Sequence, residues 1–350
     1  MTSLRIVITA DPELPVPPRL YGGIERVVAL LADGLVAGGH DVTLVAHPDS
    51  HVDASLIPYS RPDGRGLALL ANASTIAKAV ASVRPDVVHS FGRLASLGAV
   101  LPSRVPKVMS YQRAVTPSRV AWATRLGRDS VTFVGCSRSL IEAVSRDARW
   151  RVVYNATDVE RTPFGADPGP DAPLVFLGRI EAIKGAHTAI SVARRTGRRL
   201  VLAGNVPAGH ETYFDREIKP HVDDRNVEYV GPVDDETKGA LLARAGALLM
   251  PIEWEEPFGI VMAEALAAGT PVLGFRRGAV PEVVEHGVTG FVCSNEDEMV
   301  RAVPAVRHLS RAACRQAAAD RFSQRAMVTG YERVYAEAIA AVHGQVATAR

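Results

Sequence analysis

Short apolar runs alternate along the chain with longer segments of helical periodicity, and this alternation restricts the fold more than any other feature. It is typical of βαβ units, in which helices connect parallel strands. The predicted strands of the first half are Arg5–Ala10, Asp41–Ala46, Val87–Ser90, Lys107–Tyr111 and Thr132–Cys136. Those of the second half are Leu174–Leu177, Arg199–Ala203, Val227–Val230, Ala247–Pro251 and Pro271–Gly274. We therefore predict an α/β protein with two Rossmann-like, doubly wound domains in tandem.

The length and the mid-chain composition place the boundary between these domains. At 350 residues the chain is long enough for two hydrophobic cores. The segment Arg161–Pro173 is rich in Pro, Gly and Asp, which predicts a linker or a surface loop. We assign residues 1–155 to the first domain and residues 156–322 to the second. The pattern after residue 322 predicts a final helix with one apolar face to bury.

Composition limits the partners and the compartment. The formal net charge is only +2, so no bulk field favours nucleic acid as a partner. The apolar run Ile6–Ala10 predicts a first strand rather than a signal peptide. No stretch is expected to supply the ~18 apolar residues that span a bilayer. The three cysteines fit neither a zinc site nor a disulfide framework. We expect a cytoplasmic protein.

The segment Pro251–Ala268 is the most informative part of the chain for function. A buried strand leads into an acidic loop and then into an apolar helix, with Glu256 before the helix and Glu264 inside it. The first backbone amides of that helix belong to Phe258, Gly259 and Ile260. Such amides have no partner within the helix, and the helix dipole adds positive charge there. A diphosphate group would bind well at this point.

Two cations follow the first predicted strand of the second domain. Arg179 and Lys184 lie near its carboxyl end, the edge at which open α/β sheets bind ligands. Arginine can bind two phosphate oxygens at once, and lysine supplies a compact charge. The structural alternative is a surface ion pair between Arg179 and Glu181. Because the strand ends carry no obvious Asp-x-Asp pair, we expect neither a metal site nor a cofactor.

Two features of the first domain also lie near strand ends. Gly22 and Gly23 follow a proline-rich loop and precede a helix, where glycine permits close approach to a ligand. An ordinary loop-to-helix turn is the alternative. His89 ends the strand that precedes Phe91, so it is a candidate catalytic residue or a core histidine.

Glu256, seven intervening residues and Glu264 resemble the Glu-x7-Glu motif of glycosyltransferase family 4. Further motifs of this family occur in order along the chain: Gly22-Gly23, Pro85-Asp86-Val87-Val88-His89, Asn155-Ala156-Thr157-Asp158, Gly178-Arg179, Lys184-Gly185, Gly269-Thr270-Pro271-Val272 and Pro281-Glu282. The resemblance implies a GT-B fold with an interdomain cleft, in which the first domain binds the acceptor and the second binds a nucleotide-sugar donor. It also implies that the last helix, 323–350, packs back on the first domain.

The resemblance implies a retaining, metal-independent glycosyltransferase, with a UDP-hexose as the first candidate donor and a GDP-sugar as the second. Glu264 would bind the ribose and Glu256 the hydroxyls of the donor sugar. Gly22 and Gly23 would lie beside the diphosphate and the acceptor. Glu282 would lie near the donor, or else would cap the following helix.

One departure from the family concerns His89. Members often carry His-x-His at this position, whereas this chain has His89-Ser90-Phe91. His89 therefore either takes the catalytic role or is a core residue.

Three other functions compete with transfer. A GT-B nucleotide-sugar epimerase would share the fold, and a non-catalytic nucleotide-sugar-binding module would fit the missing second histidine. An NAD-dependent oxidoreductase would need Gly-x-Gly-x-x-Gly after the first strand, where only Gly22-Gly23 occurs. Peripheral membrane contact through Arg119, Trp122, Arg125 and Arg128 is less favoured than a solvated helix face. The pattern says nothing about the oligomeric state.

Overall fold

A computed structural model of the protein describes residues 2–18, 22–61, 66–142, 144 and 148–348. Contacts within the chain divide it into two units. The first runs to Asn155 and also contains the last helix, and the second is Ala156–Ser323. Each unit is built around a sheet in which all the described strand pairs are parallel.

The first unit contains seven strands among its described residues. They are β1 (Arg5–Thr9), β2 (Asp41–Ala46), β3 (Ser55–Pro58), β4 (Val87–Ser90), β5 (Lys107–Tyr111), β6 (Val131–Gly135) and β7 (Trp150–Val152). Its helices are α1 (Gly23–Ala37), α2 (Gly66–Val83), α3 (Pro117–Gly127), α4 (Arg138–Glu142) and α12 (Gln324–Thr348). The strand order is β3-β2-β1-β4-β5-β6-β7. The chain therefore leaves β1 toward β2 on one side and leaves β4 toward β5 on the other, so the connections diverge between β1 and β4. Such sheets bind ligands at this point.

The last helix, α12, completes the core of the first unit. Tyr331 and Tyr335 are fully buried, and Gln324 Nε2 donates to the carbonyl oxygen of Leu30 at 2.8 Å. At the surface, Arg151 Nε lies 2.6 Å from Glu337 Oε2. A helix from the end of the chain is thus an integral layer of the unit that contains its beginning.

The second unit has six strands among its described residues. They are β8 (Leu174–Leu177), β9 (Leu200–Ala203), β10 (Val227–Gly231), β11 (Ala247–Met250), β12 (Val272–Phe275) and β13 (Gly290–Cys293), in the order β10-β9-β8-β11-β12-β13. The helices are α5 (Ala186–Thr196), α6 (Glu211–Tyr213), α7 (Asp235–Arg244), α8 (Ile260–Ala267), α9 (Val280–Val283), α10 (Glu296–Ala302) and α11 (Arg311–Arg321). Here the connections diverge between β8 and β11.

The strands at the centre of each sheet are buried. β8, β9 and β11 are buried along their whole length, because helices cover the two faces of a parallel sheet.

The sequence left two alternatives for the segment between the predicted domains, a linker or a surface loop. The segment Arg161–Pro173 is a surface loop of the second unit rather than an interdomain linker, since Gly165 N donates to Ala268 O at 3.0 Å and Arg315 Nη1 donates to Thr162 O at 2.7 Å.

The expectation that no segment could span a bilayer is wrong by length and composition. α2 has 18 residues and is, by length and composition alone, apolar enough to cross a membrane. Its place in the fold supplies another reason for this apolar character. α2 follows β3 and precedes β4, and it buries Ala68, Ile76 and Ala79 as the crossover helix of a parallel sheet.

Candidate functional site

The candidate site lies in the second unit, at the carboxyl ends of β8 and β11. These strands are neighbours, with Leu174 paired to Ala247 and Val175 to Leu248. The chain leaves β8 toward β9 on one side and leaves β11 toward β12 on the other. Open α/β sheets bind ligands at such a point, where successive connections leave the sheet edge in opposite directions. Four of the predicted residues, Arg179, Lys184, Glu256 and Glu264, follow these two strands in the chain.

Lys184 and Glu256 are brought together from the two loops. Lys184 ends a 3-10 turn, Ala182–Lys184, and its Nζ lies 2.6 Å from Glu256 Oε2. The indole Nε1 of Trp254 donates to the same oxygen at 2.9 Å, and the Lys184 ammonium lies 4.6 Å from the Trp254 ring centroid. Glu256 is only 8% exposed. A largely buried carboxylate is therefore held in place by a cation and an indole N–H.

The loop after β12 holds the backbone around Glu256. Ala279 N donates to Glu256 O at 2.9 Å, and Gly278 N donates to Glu255 Oε2 at 2.6 Å. Gly278 has a φ of 50°, and a Cβ there would lie 2.2 Å from Glu256 O. Only glycine allows the two loops to approach this closely.

The helix that follows Glu256 begins at Ile260 with Gly259 as its N-cap, so the amides of Gly259 and Ile260 belong to its first turn as predicted, whereas Phe258 lies before the helix. α8 starts at Ile260, and Gly259 precedes it in a left-handed conformation with a φ of 72°. No side chain caps the helix. The Phe258 side chain is buried against the ring of Phe322, with 5.7 Å between the centroids. The first amides of α8 thus carry the positive end of the helix dipole, while the Phe258 ring packs in the core.

Glu264 lies roughly 6 Å further along the helix axis than Ile260, and it is paired with a residue that the motif analysis missed. Its Oε1 lies 2.6 Å from Nζ of Lys238 on α7. Lys238 Nζ also lies 2.7 Å from Asp235 Oδ1. Burial opposes the charge on Lys238, but the carboxylates of Glu264 and Asp235 outweigh this effect and raise the pKa of Lys238. Among the described residues nothing donates a hydrogen bond to Glu264 Oε2, which leaves this oxygen as an acceptor for a hydroxyl.

Arg179 has the ion pair that the sequence left open as an alternative. The residue lies just beyond β8, and its Nη1 is 2.8 Å from Glu181 Oε1. Glu181 is 5% exposed, so the pair also neutralises a buried carboxylate.

Glu282 lies inside α9, which follows the neighbouring strand β12. Its backbone N–H donates to Ala279 O, and its carbonyl oxygen accepts a hydrogen bond from Arg321 Nη2. The alternative in which Glu282 caps a helix is not seen, because no side chain caps α9.

Gly22 and Gly23 start α1 in the first unit. Gly22 has a φ of 143°, and a Cβ at this position would lie 2.7 Å from Pro18 Cγ and 2.8 Å from Glu25 Oε2. Gly23 is the first residue of the helix. Burial raises the pKa of the Glu25 carboxyl, with Asp11 adding to the rise and Arg113 opposing it. Glycine is therefore needed at position 22, where a side chain would meet Pro18 and Glu25 at the start of α1.

The catalytic assignment of His89 is corrected by its position. The side chain is fully buried, with Nδ1 2.7 Å from Tyr335 Oη and Nε2 2.7 Å from Ser110 Oγ. Burial lowers the pKa of His89 to about 3. Both ring nitrogens already have partners, and the neutral ring donates one hydrogen bond and accepts the other. Of the two alternatives, His89 is therefore a core histidine and not a catalytic residue. Its hydrogen bonds connect β4 to β5 and to α12.

No three His, Cys, Asp or Glu side chains within the described part of the chain come together as a set that could hold a metal ion. The charged groups at the carboxyl edge of the second sheet are instead ammonium, guanidinium and carboxylate groups, next to the start of a helix.

Comparison with known proteins gives matches to both units. Residues 163–321 match the family model described as "Glycosyl transferases group 1", and residues 21–161 match the model "Glycosyltransferase Family 4". The chain is 30% identical over 384 residues to "Glycogen synthase" of Mycobacterium tuberculosis (strain CDC 1551 / Oshkosh), which covers 91% of this chain and 92% of that protein.

Two solved structures show how closely the fold is shared. AviGT4, "a glycosyltransferase involved in Avilamycin A biosynthesis", superposes with a TM-score of 0.73 at 28% identity, over 97% of this chain and 98% of that one. Anabaena HepE "in complex with UDP and glucose" gives a TM-score of 0.73 at 19% identity, over 95% of this chain and all of that one. At that identity HepE shows the likeness of the GT-B fold alone.

Proposed function

Since the chain belongs to glycosyltransferase family 4, we propose that it moves a sugar from a nucleoside diphosphate sugar to an acceptor hydroxyl with retention of configuration. The observation that carries this proposal is the arrangement at the β8 and β11 edge. There, Lys184 is fixed on Glu256, an uncapped helix begins at Ile260, and Glu264 keeps one oxygen available. Each group matches one part of a nucleotide-sugar donor.

The diphosphate is the part that needs positive charge. As the bond to the sugar breaks, negative charge grows on the leaving phosphate. Fixed cations and oriented amides lower the energy of that state because they need not reorganise. Lys184, Arg179 and the first amides of α8 would supply them, which makes a divalent cation unnecessary. Each lies on a loop that starts where β8 or β11 ends.

The two glutamates would orient the rest of the donor. Glu264 Oε2 accepts from the ribose hydroxyls, while Oε1 stays on Lys238. Glu256 accepts from hydroxyls of the transferred sugar and keeps its contact with Lys184. A UDP-hexose is the favoured donor and a GDP-sugar the second candidate. HepE has been solved with UDP and glucose and shares the fold, which makes UDP the first nucleotide to test.

Membership of family 4 is what supports retention without a covalent intermediate. In the proposed step, the acceptor oxygen forms a bond to the anomeric carbon on the face from which the diphosphate leaves. The bond between the anomeric carbon and the phosphate oxygen breaks, and a phosphate oxygen takes the acceptor proton. His89 takes no part, since its ring is sealed in the core.

The experiment is incubation of the purified chain with UDP-glucose, UDP-galactose or GDP-mannose, together with a mixture of candidate acceptors. The proposal predicts release of the nucleoside diphosphate, an α-linked product from an α-linked donor by NMR, and an unchanged rate in EDTA. Inverted product, or activity lost in EDTA and restored by a metal, would contradict the mechanism. An epimerised donor without transfer, or tight binding without turnover, would replace transfer by epimerisation or by binding alone.

A further inference from the structure

A second ligand-sized space lies wholly within the first unit, at the carboxyl edge of its sheet. The cavity has a volume of about 740 Å³. Its walls come from the segments that follow β1, β4 and β5 and from the first turns of α3. β1 and β4 are the neighbouring strands between which the chain connections diverge. The cavity therefore occupies the position at which such a sheet binds a ligand.

The wall of this cavity is rich in positive charge. Its described lining contains three arginines, Arg93, Arg113 and Arg119, and one acidic residue, Asp11. Arg93 is already neutralised, with Nε 3.5 Å from Asp11 Oδ2 and Nη2 2.5 Å from Glu13 Oε1. Arg113 and Arg119 form no ion pair with any described residue. Two guanidinium groups outside any ion pair among the described residues thus line one cavity, and Arg113 acts on the Glu25 carboxyl only from beyond ion-pair distance.

Neutral donors without partners line the same space. Gln112 Nε2 and Tyr111 Oη are buried, and neither has a hydrogen-bond partner among the described residues. The other amide atom, Gln112 Oε1, accepts from Asn155 Nδ2 at 2.7 Å, and Nε2 is the amide atom without a partner in this arrangement. Buried donors are rarely left unpaired in folded proteins. A ligand whose oxygens only accept hydrogen bonds would satisfy them.

One wall of the cavity is apolar. Leu94, Val115 and Trp122 contribute to it, and Trp122 is 48% exposed. The face of α3 that the sequence grouped as a single basic surface is divided by the structure. Arg119 and Trp122 line the cavity, whereas Arg125 does not. An indole and two free guanidinium groups on one wall suit a molecule with an apolar body and an anionic end.

We propose that the acceptor of this enzyme carries a phosphate or carboxylate group, which Arg113 and Arg119 bind while Gln112 donates to it and Trp122 contacts the body of the molecule. This inference rests on the proposed function, since it names the acceptor class of that reaction. It separates the chain from enzymes that extend a neutral glucan, because a neutral chain would leave both arginines unpaired. The anionic group is either part of a free metabolite or the headgroup of a lipid.

Binding of matched probes to the full chain tests the proposal. Glucose 6-phosphate and glucuronate are compared with glucose and maltotriose by calorimetry, in the presence of UDP. We expect the anionic probes to bind about tenfold or more tightly than the neutral ones, as charge-assisted hydrogen bonds require. Vesicles of phosphatidylcholine with and without phosphatidic acid form the second arm. Binding to the anionic vesicles alone would assign the anion to a lipid headgroup.

Arginine variants test which side chains bind the anionic probes. The double variant Arg113→Gln/Arg119→Gln should bind anionic and neutral probes equally, while the control Arg125→Gln on the same helix should keep the wild-type preference. UDP affinity should be unchanged in both. Equal binding of anionic and neutral probes by the wild type, or an equal loss in the Arg125→Gln control, would overturn the inference. Failure of the wild type to bind UDP would instead contradict the proposed function, so the two failures are distinguishable.

Discussion

The ammonium of Lys184 lies 2.6 Å from Oε2 of Glu256, so a residue that follows β8 is tied to one that follows β11. This contact joins the two loops at the point where the connections of the sheet diverge. It places a fixed positive charge beside a largely buried carboxylate. Such a pair can bind two chemically different parts of one ligand, an anionic diphosphate and a hydroxyl-rich sugar.

Replacing Lys184 by Met removes the charge and keeps much of the apolar stem. We expect the turnover rate to fall by roughly 10²-fold or more, because charge on the leaving diphosphate loses a preorganised partner. Lys219→Met is the control, since Lys219 is an exposed lysine that pairs with Asp215 at the surface. The measurement is the rate of nucleoside diphosphate release at saturating donor. A wild-type rate in Lys184→Met would remove this residue from the site.

Gly278→Ala tests whether the close approach to Glu256 matters for activity. The new Cβ would lie 2.2 Å from Glu256 O, so the loop that carries Glu256 must move. We expect the rate to fall by about tenfold or more, since a small misplacement of a binding group is costly. Gly287→Ala is a matched control, because Gly287 also has a positive φ, of 80°, but has open space around its Cβ. Equal activity in the two variants would contradict the role given to this loop.

Glu264→Gln tests the ribose contact. An amide has no charge and one acceptor oxygen instead of two, so with that oxygen on Lys238 it offers a ribose hydroxyl an N–H donor in place of an anionic acceptor. We expect UDP to bind roughly 10- to 100-fold more weakly by calorimetry, in line with one charge-assisted hydrogen bond. Glu236→Gln, an exposed residue of α7, should leave the affinity unchanged. Unchanged UDP affinity in Glu264→Gln would refute this assignment.

His89 predicts a pH dependence of stability rather than of catalysis. Its pKa is about 3 in the folded protein and about 6.5 in an unfolded chain. Between these values the unfolded state binds the proton and the folded state does not, so stability falls as the pH falls from about 6.5 toward 3. The slope from this residue alone is about 1.4 kcal/mol per pH unit.

His89→Gln can keep the contacts with Tyr335 and Ser110 but does not titrate. We expect its unfolding midpoint to fall less steeply between pH 6.5 and pH 4 than that of the wild type, over a range set by the two pKa values. The exposed His343 provides the control variant His343→Gln. Parallel curves for the wild type and His89→Gln would show that His89 binds its proton equally well in both states.

Much of the fold could be predicted because its central strands are buried on both faces. Leu174–Leu177 is a complete apolar run, and the structure forms β8 over the same residues. The prediction missed β3, β7 and β13, and all three lie at an edge of their sheet. β3 and β7 are also only partly buried. A strand that is half exposed and ends in a proline, as β3 does at Pro58, lacks the continuous apolar run that identifies a buried strand.

The candidate site could be predicted only where its chemistry is local in sequence. Glu256 and Glu264 flank one turn, so their spacing was visible. Lys238 lies 26 residues from Glu264, and only the packing of α7 near α8 reveals their contact. His89 and Tyr335 are 246 residues apart, so nothing near His89 showed that a tyrosine would occupy its ring nitrogen. Contacts of this kind depend on tertiary structure and leave no local pattern.

A crystal structure of the protein with UDP tests the central claim most directly. The account predicts the diphosphate at the first amides of α8, near Lys184, and the ribose within hydrogen-bonding distance of Glu264. UDP bound with neither its diphosphate at α8 nor its ribose at Glu264 would contradict it.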